Sequence, residues 1–217
     1  MRHSPALRSL LFISALVMAL VGCDSADTEK KVSDDRGLSV NGLKTARAFE
    51  KITNDQQRAS AIFGEMTKVF YHPRCANCHT GTNGPTQGDE MHPHNPPVIR
   101  GAGMGADAMS CDACHGTGNV AFATMNGSIP GGEPWMLAPA SMGWQDKTAA
   151  ELCAQIKDAE SNGGSRVEDL IDHLGQDHLP GWAWAPGEGR TPAPGNQTTF
   201  GALTAAWVAA GAHCPVE

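Results

Sequence analysis

The first regular hydrophobic pattern in this chain begins near Asp55 and runs towards the first cysteine-rich stretch. Apolar residues recur there at intervals of three and four positions, which is the period of one face of an α-helix. Asn54 or Asp55 is suited to cap the first turn, because a short polar side chain can accept a backbone N–H bond. The pattern therefore predicts an amphipathic helix over "NDQQRASAIFGEMTKVFY", residues 54–71, that runs almost to Cys75. Its apolar face is formed by Ala59, Ile62, Phe63, Met66, Val69 and Phe70.

Three later segments have the same helical period, over residues 146–160, 166–177 and 198–214. Between the helices, residues 80–110 and 116–145 are rich in glycine, proline, asparagine and methionine and predict long irregular loops. No stretch alternates apolar and polar residues for long enough to predict a strand. The expected fold is mainly α with long irregular loops, and such loops need something large and apolar to pack around.

Residues 1–22 have the pattern of an export signal. Arg2 and Arg8 precede an apolar run, Leu10–Val21, that is too short to span a bilayer. The run ends in "LVGC", which resembles the lipobox of bacterial lipoproteins and implies cleavage before Cys23 and acylation of its thiol. The alternative is an ordinary signal peptide with a chance cysteine. The expectation is an exported, periplasmic protein that its lipid tethers to a membrane surface.

The mature chain divides into a polar segment and a folded part. Residues 23–50 contain few large apolar groups and predict a flexible tether, which leaves residues 51–217 as one folded domain. Removing the signal takes away Arg2 and Arg8 but no acid, so the formal charge changes from −7 to −7 − 2 = −9. The chain has no basic tract, and nucleic acid is therefore not an expected partner.

The chemistry of the chain is concentrated in two copies of the pattern C-x-x-C-H, "CANCH" at 75–79 and "CDACH" at 111–115. Two thiols one helical turn apart can form thioether bonds to the vinyl groups of one haem, and the following histidine can then reach the iron. The pattern predicts two covalently bound haem c groups, held by Cys75, Cys78, Cys111 and Cys114, with His79 and His115 as proximal iron ligands.

Two other interpretations of these motifs remain open at this point. Four thiolates could hold one structural zinc ion, and "CDACHGTG" also fits the C-x-x-C-x-G-x-G repeat of zinc-binding co-chaperones. That family has four such pairs, whereas the present chain has no third pair. Each C-x-x-C could also be a redox dithiol. Two motifs with a trailing histidine in an exported chain favour haem.

The short spacing of the motifs indicates that both haems share one fold. Only 31 residues, 80–110, separate His79 from Cys111. A single-haem cytochrome c domain resembles a unit of roughly twice that length, with its own closing helix and methionine. We therefore expect one compact dihaem fold in which the two haems lie close together and form the core.

Several residues could occupy the far side of each iron. Six histidines are candidates, namely His72, His92, His94, His173, His178 and His213. Methionine is the alternative ligand and would raise the reduction potential. The candidate methionines all fall in the loops: Met91, Met104, Met109, Met125, Met136 and Met142.

The order of motifs over residues 60–215 resembles a family of bacterial exported proteins that are often labelled cytochrome-like subunits of isoquinoline 1-oxidoreductase. The resemblance rests on "MHPHNPPVIRG", "PWMLAPASMGW", "LIDHLGQDHLPGWAWAPGEGR" and "FGALTAAWVAAGAHCP". It implies that His94 and His173 are the distal ligands. The helical spacing independently predicts that His173 lies beside Leu170 and Leu174, on the face of its helix that would be buried. His92 is the substitute for His94, and His72 or His213 for His173.

Cys153 and Cys214 remain after the motifs and the lipid site are assigned. Disulfides persist in an oxidising compartment, so we expect these two to pair, with two free buried thiols as the alternative. Such a bridge would close a loop of about 60 residues and stabilise the fold by roughly 4 kcal/mol.

These features predict three functions from different classes. The first is a membrane-tethered dihaem electron carrier between a partner dehydrogenase and the respiratory chain. The second is a dihaem enzyme, a peroxidase or small-molecule reductase, with one open iron position. The third is a zinc or disulfide scaffold that mediates binding.

Overall fold

The computed structural model describes residues 37–216, and it is mixed helical with small antiparallel hairpins. Its six α-helices are α1 Asp55–Phe70, α2 Pro73–Ala76, α3 Ala149–Lys157, α4 Asp169–Gln176, α5 His178–Gly181 and α6 Gln197–Ala209. Short 3₁₀ helices span Ala46–Phe49, Cys111–Ala113, Ala140–Met142 and Trp182–Trp184. The eight strands are β1 Ser39–Val40, β2 Leu43–Lys44, β3 Thr86–Gln87, β4 His92–Pro93, β5 Gly105–Ala106, β6 Met109–Ser110, β7 Val120–Ala121 and β8 Ser128–Ile129. The mainly helical expectation holds at this coarse level.

Helix α1 confirms the prediction made from the hydrophobic period. Asn54 is the N-cap residue, and its side chain accepts a hydrogen bond from the backbone N–H of Gln57 at 2.9 Å. The six predicted apolar positions are all buried. One charged residue, Glu65, is also buried, and its carboxylate accepts bonds from the Lys44 backbone at 2.9 Å and the Lys68 ammonium at 2.7 Å.

The other predicted helices are present but shorter than their sequence patterns. Helix α3 begins at a capping box, in which Thr148 accepts from the backbone of Glu151 and Glu151 accepts from that of Thr148. The predicted third helix divides into α4 and the four-residue α5, because Asp177 between them adopts an extended backbone. The helices thus end where local backbone geometry changes rather than where apolar spacing ends.

The Cys153–Cys214 disulfide is confirmed. The two sulfur atoms are 1.97 Å apart, and the bridge joins α3 to the chain beyond α6. Cys153 is fully buried in the hydrophobic core. The four motif cysteines form no disulfide.

Helices α1, α3, α4 and α6 enclose a hydrophobic core of their own. Its centre is an aromatic cluster. The ring centroid of Phe63 lies 5.2 Å from that of Trp207, and the ring centroid of Phe70 lies 5.3 Å from that of Phe200 and 5.2 Å from that of Trp144. Burying one such ring stabilises the fold by about 1.5–3 kcal/mol. Phe70 and Trp144 also line a cavity beside the first C-x-x-C-H motif, so this core continues directly into the candidate site.

The predicted loops contain more regular structure than their sequences indicate. Three antiparallel hairpins, β3–β4, β5–β6 and β7–β8, lie within these loops, each with strands of two residues. Strands this short bury no alternating face, so they leave no period in the sequence. The β3–β4 hairpin contains His92 and presents His94 just after it, while β6 leads directly into Cys111.

The predicted tether over residues 23–50 is wrong for its second half. Residues 37–50 form the β1–β2 hairpin and a 3₁₀ helix, and Leu43 and Phe49 are buried in the helical core. The sequence did not predict this structure, because isolated apolar residues in a polar segment show no helical or strand period. Within residues 37–216 no helix is long and apolar enough to cross a membrane, whereas the proposed signal and Cys23 lie outside the described residues.

Candidate functional site

Both C-x-x-C-H motifs fold into the same single turn. In the first, which starts in α2, the backbone N–H groups of Cys78 and His79 each donate to the carbonyl of Cys75 at 3.1 Å. In the second, Cys114 and His115 donate to the carbonyl of Cys111 at 3.2 and 2.9 Å. The turn brings both thiols of a motif to one side and places the histidine after them.

The thiols of the first motif lie in an apolar environment. Burial raises the pKa of Cys75 to about 12 and that of Cys78 to about 11. Redox-active dithiols need the opposite shift, because the thiolate is the nucleophile. The negative charge of a Cys111 thiolate also raises the Cys78 pKa, so the two motifs are neighbours in space although 33 residues separate these cysteines in sequence (111 − 78).

His79 is held in one orientation. Its ring stacks on Trp144 with a centroid distance of 3.3 Å, and its Nδ1 lies 3.1 Å from the carbonyl oxygen of Met142. Burial lowers the His79 pKa to about 3, so the ring is neutral at physiological pH. A carbonyl can only accept, so Nδ1 carries the proton and Nε2 is left with a free lone pair.

A cavity of about 530 Å³ opens beside the first motif, within the range of cofactor and ligand pockets. Cys75, Cys78 and His79 line it together with His173. A positive charge on His173 would lower the pKa of His79, so the two rings are near each other. The rest of the lining is largely apolar and includes Phe70, Leu137, Trp144, Ile156, Leu170 and Leu174.

His173 is oriented by a carboxylate. Its Nδ1 lies 2.9 Å from Oδ2 of Asp177, one turn later at the end of α4. Its side chain is 49% exposed, so the expectation that it lies on the buried face of its helix is wrong. Leu170 and Leu174 form that face, and His173 stands beside them at the mouth of the cavity.

The second motif has a corresponding histidine pair. Nδ1 of His115 lies 2.7 Å from the carbonyl oxygen of Pro130, and Nδ1 of His94 lies 2.8 Å from that of Pro96. The His94 and His115 ring centroids are 6.0 Å apart, with 64° between the ring planes. Burial lowers the His115 pKa and favours its neutral form.

The separation of His94 and His115 suits two ligands of one metal. A bound imidazole nitrogen lies about 2 Å from the metal and about 1 Å from its ring centroid, so two opposed rings have centroids roughly 6 Å apart. In all four histidines Nδ1 is bonded to an acceptor, which is how metal-ligating histidines fix Nε2 towards the metal. The residues present therefore fit two haem groups, for which the pairs His79–His173 and His94–His115 would supply the protein nitrogens.

Two tryptophans connect the sites. Trp135 stacks on His115, with centroids 5.0 Å apart and planes inclined by 14°, and it also lines the cavity beside His79. Trp182 meets Trp135 edge-on at 5.2 Å and donates its indole N–H to Asn119 at 2.8 Å. Trp135 therefore contacts both candidate sites.

Arg100 is a buried cation that sequence reasoning missed. It donates to the carbonyl of Thr80 at 2.7 Å, to the Thr80 hydroxyl at 3.0 Å, and to the carbonyls of Thr82 and Ala138. Within residues 37–216 no carboxylate lies at ion-pair distance from it. Its charge lowers the pKa values of His79 and Cys78, so it acts on the first site. Only its place in "VIRG" marks it in the sequence.

The substitute ligands occupy less suitable places. His92 is exposed on β4 with Nδ1 2.9 Å from the carbonyl oxygen of Pro93. His72 caps α2 by accepting the Arg74 backbone N–H at 3.2 Å. Among the candidate methionines, Met136 and Met142 line the cavity, while Met91, Met109 and Met125 are exposed.

Across residues 37–216, no cluster of three or more His, Cys, Asp and Glu side chains is arranged to hold a metal ion. An iron in a porphyrin requires only the two axial side chains described above. Comparisons of the chain with protein-family models, with curated proteins and with solved structures find no match.

Proposed function

We propose that this chain is a dihaem c-type cytochrome that carries electrons and transforms no substrate itself. The observation that carries the proposal is the doubled site: two C-x-x-C-H turns of the same geometry, each beside a second histidine with a bonded Nδ1. When bound, haem c would supply reversible one-electron chemistry at its iron.

In the first site, Cys75 and Cys78 would form the thioether bonds, while His79 and His173 would be the axial ligands. The apolar lining of the cavity supports this assignment, because a porphyrin is a large flat apolar group. Trp144 holds the ring of His79 from one side, and the carbonyl of Met142 fixes its tautomer. Asp177 has the same role for His173.

In the second site, Cys111 and Cys114 would form the thioether bonds, while His94 and His115 would be the axial ligands. The 6.0 Å between their ring centroids supports ligation of one iron by both. The β3–β4 hairpin and the Asn95–Pro96 turn bring His94 to this position, 21 residues before His115 in the chain (115 − 94).

Two features favour a carrier over an enzyme. Each motif histidine has a second histidine nearby, so two imidazoles would ligate each iron and leave no position open for a substrate. Trp135 stacks on His115 and also lines the cavity of the first site, which supports two neighbouring sites. Closely spaced sites suit passage of electrons between them, whereas an enzyme needs one open and accessible iron.

The partners follow from the sequence resemblance and are part of the proposal. The resembled family associates the chain with a dehydrogenase that hydroxylates N-heterocycles, and a respiratory-chain protein would be the acceptor. Acylation at Cys23 would keep the exported protein on a membrane surface close to both. The mature charge of −9 suits docking to basic patches on such partners.

Absorption and EPR spectra test the carrier proposal. The full chain, produced in a host that attaches haem c, should be low-spin in both oxidation states. Cyanide and hydrogen peroxide should leave the spectrum of the oxidised protein unchanged, and carbon monoxide that of the reduced protein, because both axial positions would be occupied. A high-spin component that shifts on adding one of these ligands would instead identify the enzyme with an open iron site.

A further inference from the structure

Helix α4, which carries His173, is positioned by α6. These two helices make the most extensive contact between any two elements of the described part of the chain. The contact is closest at Gly175 and Gly201, where the two backbones nearly touch. A Cβ atom built on Gly201 would lie 2.6 Å from the Cα of Gly175, and one on Gly175 would lie 3.1 Å from the Cα of Gly201.

A second contact from α6 reaches the same end of α4. Gln197, the first residue of α6, donates its side-chain amide to the backbone carbonyl of Asp177 at 2.7 Å. Asp177 in turn accepts from Nδ1 of His173 at 2.9 Å. The glycine pair therefore sets the distance of the eight-residue helix α4 from α6, and Gln197 holds the C-terminal end of α4.

We infer that the Gly175–Gly201 contact is a positioning device that sets the distance between His173 and the iron of the first site. The inference rests on the proposed function, since it takes His173 as an axial ligand. Gly175 is two residues from His173 on the same short helix, so a displacement of the helix at Gly175 carries the imidazole with it.

The magnitudes support this role. Non-bonded carbon atoms approach to about 3.5–4.0 Å, so a methyl group at Gly201 would force α4 away from α6 by roughly 1 Å. A metal–ligand distance tolerates a change of only about 0.2 Å. A displacement of α4 by roughly 1 Å would exceed that tolerance several-fold, so the Gly201 methyl group would weaken ligation of the iron by His173.

The test uses three glycine-to-alanine variants of the mature haem-loaded chain. Gly201→Ala should convert one of the two haems to a high-spin form that binds carbon monoxide, and added imidazole should restore the low-spin spectrum. Gly175→Ala should have a smaller effect in the same direction, because its methyl group would lie further from the backbone of the opposite helix than that of Gly201→Ala. Gly64→Ala is the control, since a Cβ on this α1 residue has no atom within 4 Å. Its spectrum should equal that of wild type.

The outcomes separate this inference from the proposed function. If the wild-type chain lacks two low-spin haems, the proposed function fails before the variants are compared. If the wild type has them and Gly201→Ala stays fully low-spin with no affinity for carbon monoxide, the glycine contact is only packing and the inference is overturned. Should Gly201→Ala fail to accumulate, Gly175→Ala decides the question by the same two criteria.

Discussion

In each of the four histidines that we propose as iron ligands, Nδ1 forms a hydrogen bond to an acceptor oxygen. Three of the acceptors are backbone carbonyls, of Met142, Pro130 and Pro96, and the fourth is the carboxylate of Asp177. Each acceptor holds its ring with Nδ1–H towards the acceptor and Nε2 on the other side of the ring. The motifs alone predict His79 and His115 as the proximal ligands, but the acceptors of these two rings, Met142 and Pro130, come from distant parts of the chain and leave no signal beside the motifs. The acceptors of His94 and His173 lie only two and four residues further along the chain.

His94 and His92 offer a matched pair for testing the second site. Replacing His94 with alanine should leave one haem high-spin and able to bind carbon monoxide, because the other axial position then lacks a ligand. Replacing His92, which is exposed and two residues earlier, should leave both haems low-spin. EPR and visible spectra of the two variants check this. The reverse pattern would show that His92 is the ligand.

Arg100 allows charge to be separated from hydrogen bonding. Arg100→Gln should lower the reduction potential of the first haem, on the order of tens of millivolts, because a nearby positive charge favours the reduced state. Arg100→Lys keeps the charge and should retain most of the wild-type potential although it loses the planar fork. Potentiometric titration measures both. An equal fall in the two variants would mean that Arg100 acts through the loop it holds and not through its charge.

Elements with a strong period were predictable, and those without one were not. Helix α1 could be predicted because its apolar residues recur every three or four positions, and its cap because a short polar residue stands just before that pattern. The two-residue hairpins and the packing of Leu43 and Phe49 were not, because pairing partners and docking surfaces are decided by distant parts of the chain. The close contact of α4 and α6 at Gly175 and Gly201 could not be predicted from the sequence either, because it depends on how the two helices pack.

The disulfide between α3 and the C-terminal segment should stabilise the fold appreciably. Its cysteines are 61 residues apart, so replacing both with alanine should lower the free energy of unfolding by about 4 kcal/mol. Denaturant titration followed by far-UV circular dichroism measures this difference. Wild type under reducing conditions is the control and should unfold at nearly the same denaturant concentration as the double variant. A loss below about 1 kcal/mol would show that the bridge is dispensable.

The two parts of the molecule differ in how they are held together. The helices enclose a polypeptide core around Phe63, Phe200 and Trp207, whereas the loops over 80–145 are joined mainly by hairpins and turns. The spacing of the motifs predicted that the two sites share one fold, and the Trp135 contacts agree with that arrangement. The sequence could not indicate that the helices would also form a core of their own.

This difference between the two parts predicts different responses to loss of haem. In chain produced without haem attachment, backbone amides in 80–145 should exchange with solvent much faster than in the haem-loaded protein, because the loops lose what they pack around. Amides of α1, α3 and α6 should remain protected by the helical core. Hydrogen exchange followed by mass spectrometry compares the two forms. Equal protection of 80–145 in both would mean that these loops order themselves without haem.

The mass of the mature protein is the decisive quantity for the whole interpretation. Intact-mass spectrometry combined with thiol alkylation under denaturing, reducing conditions should find two haems added to each chain. Cys75, Cys78, Cys111 and Cys114 should resist alkylation, while Cys153 and Cys214 should react once their disulfide is reduced. A colourless chain without added haem mass, in which all four motif cysteines are alkylated, would contradict the dihaem assignment.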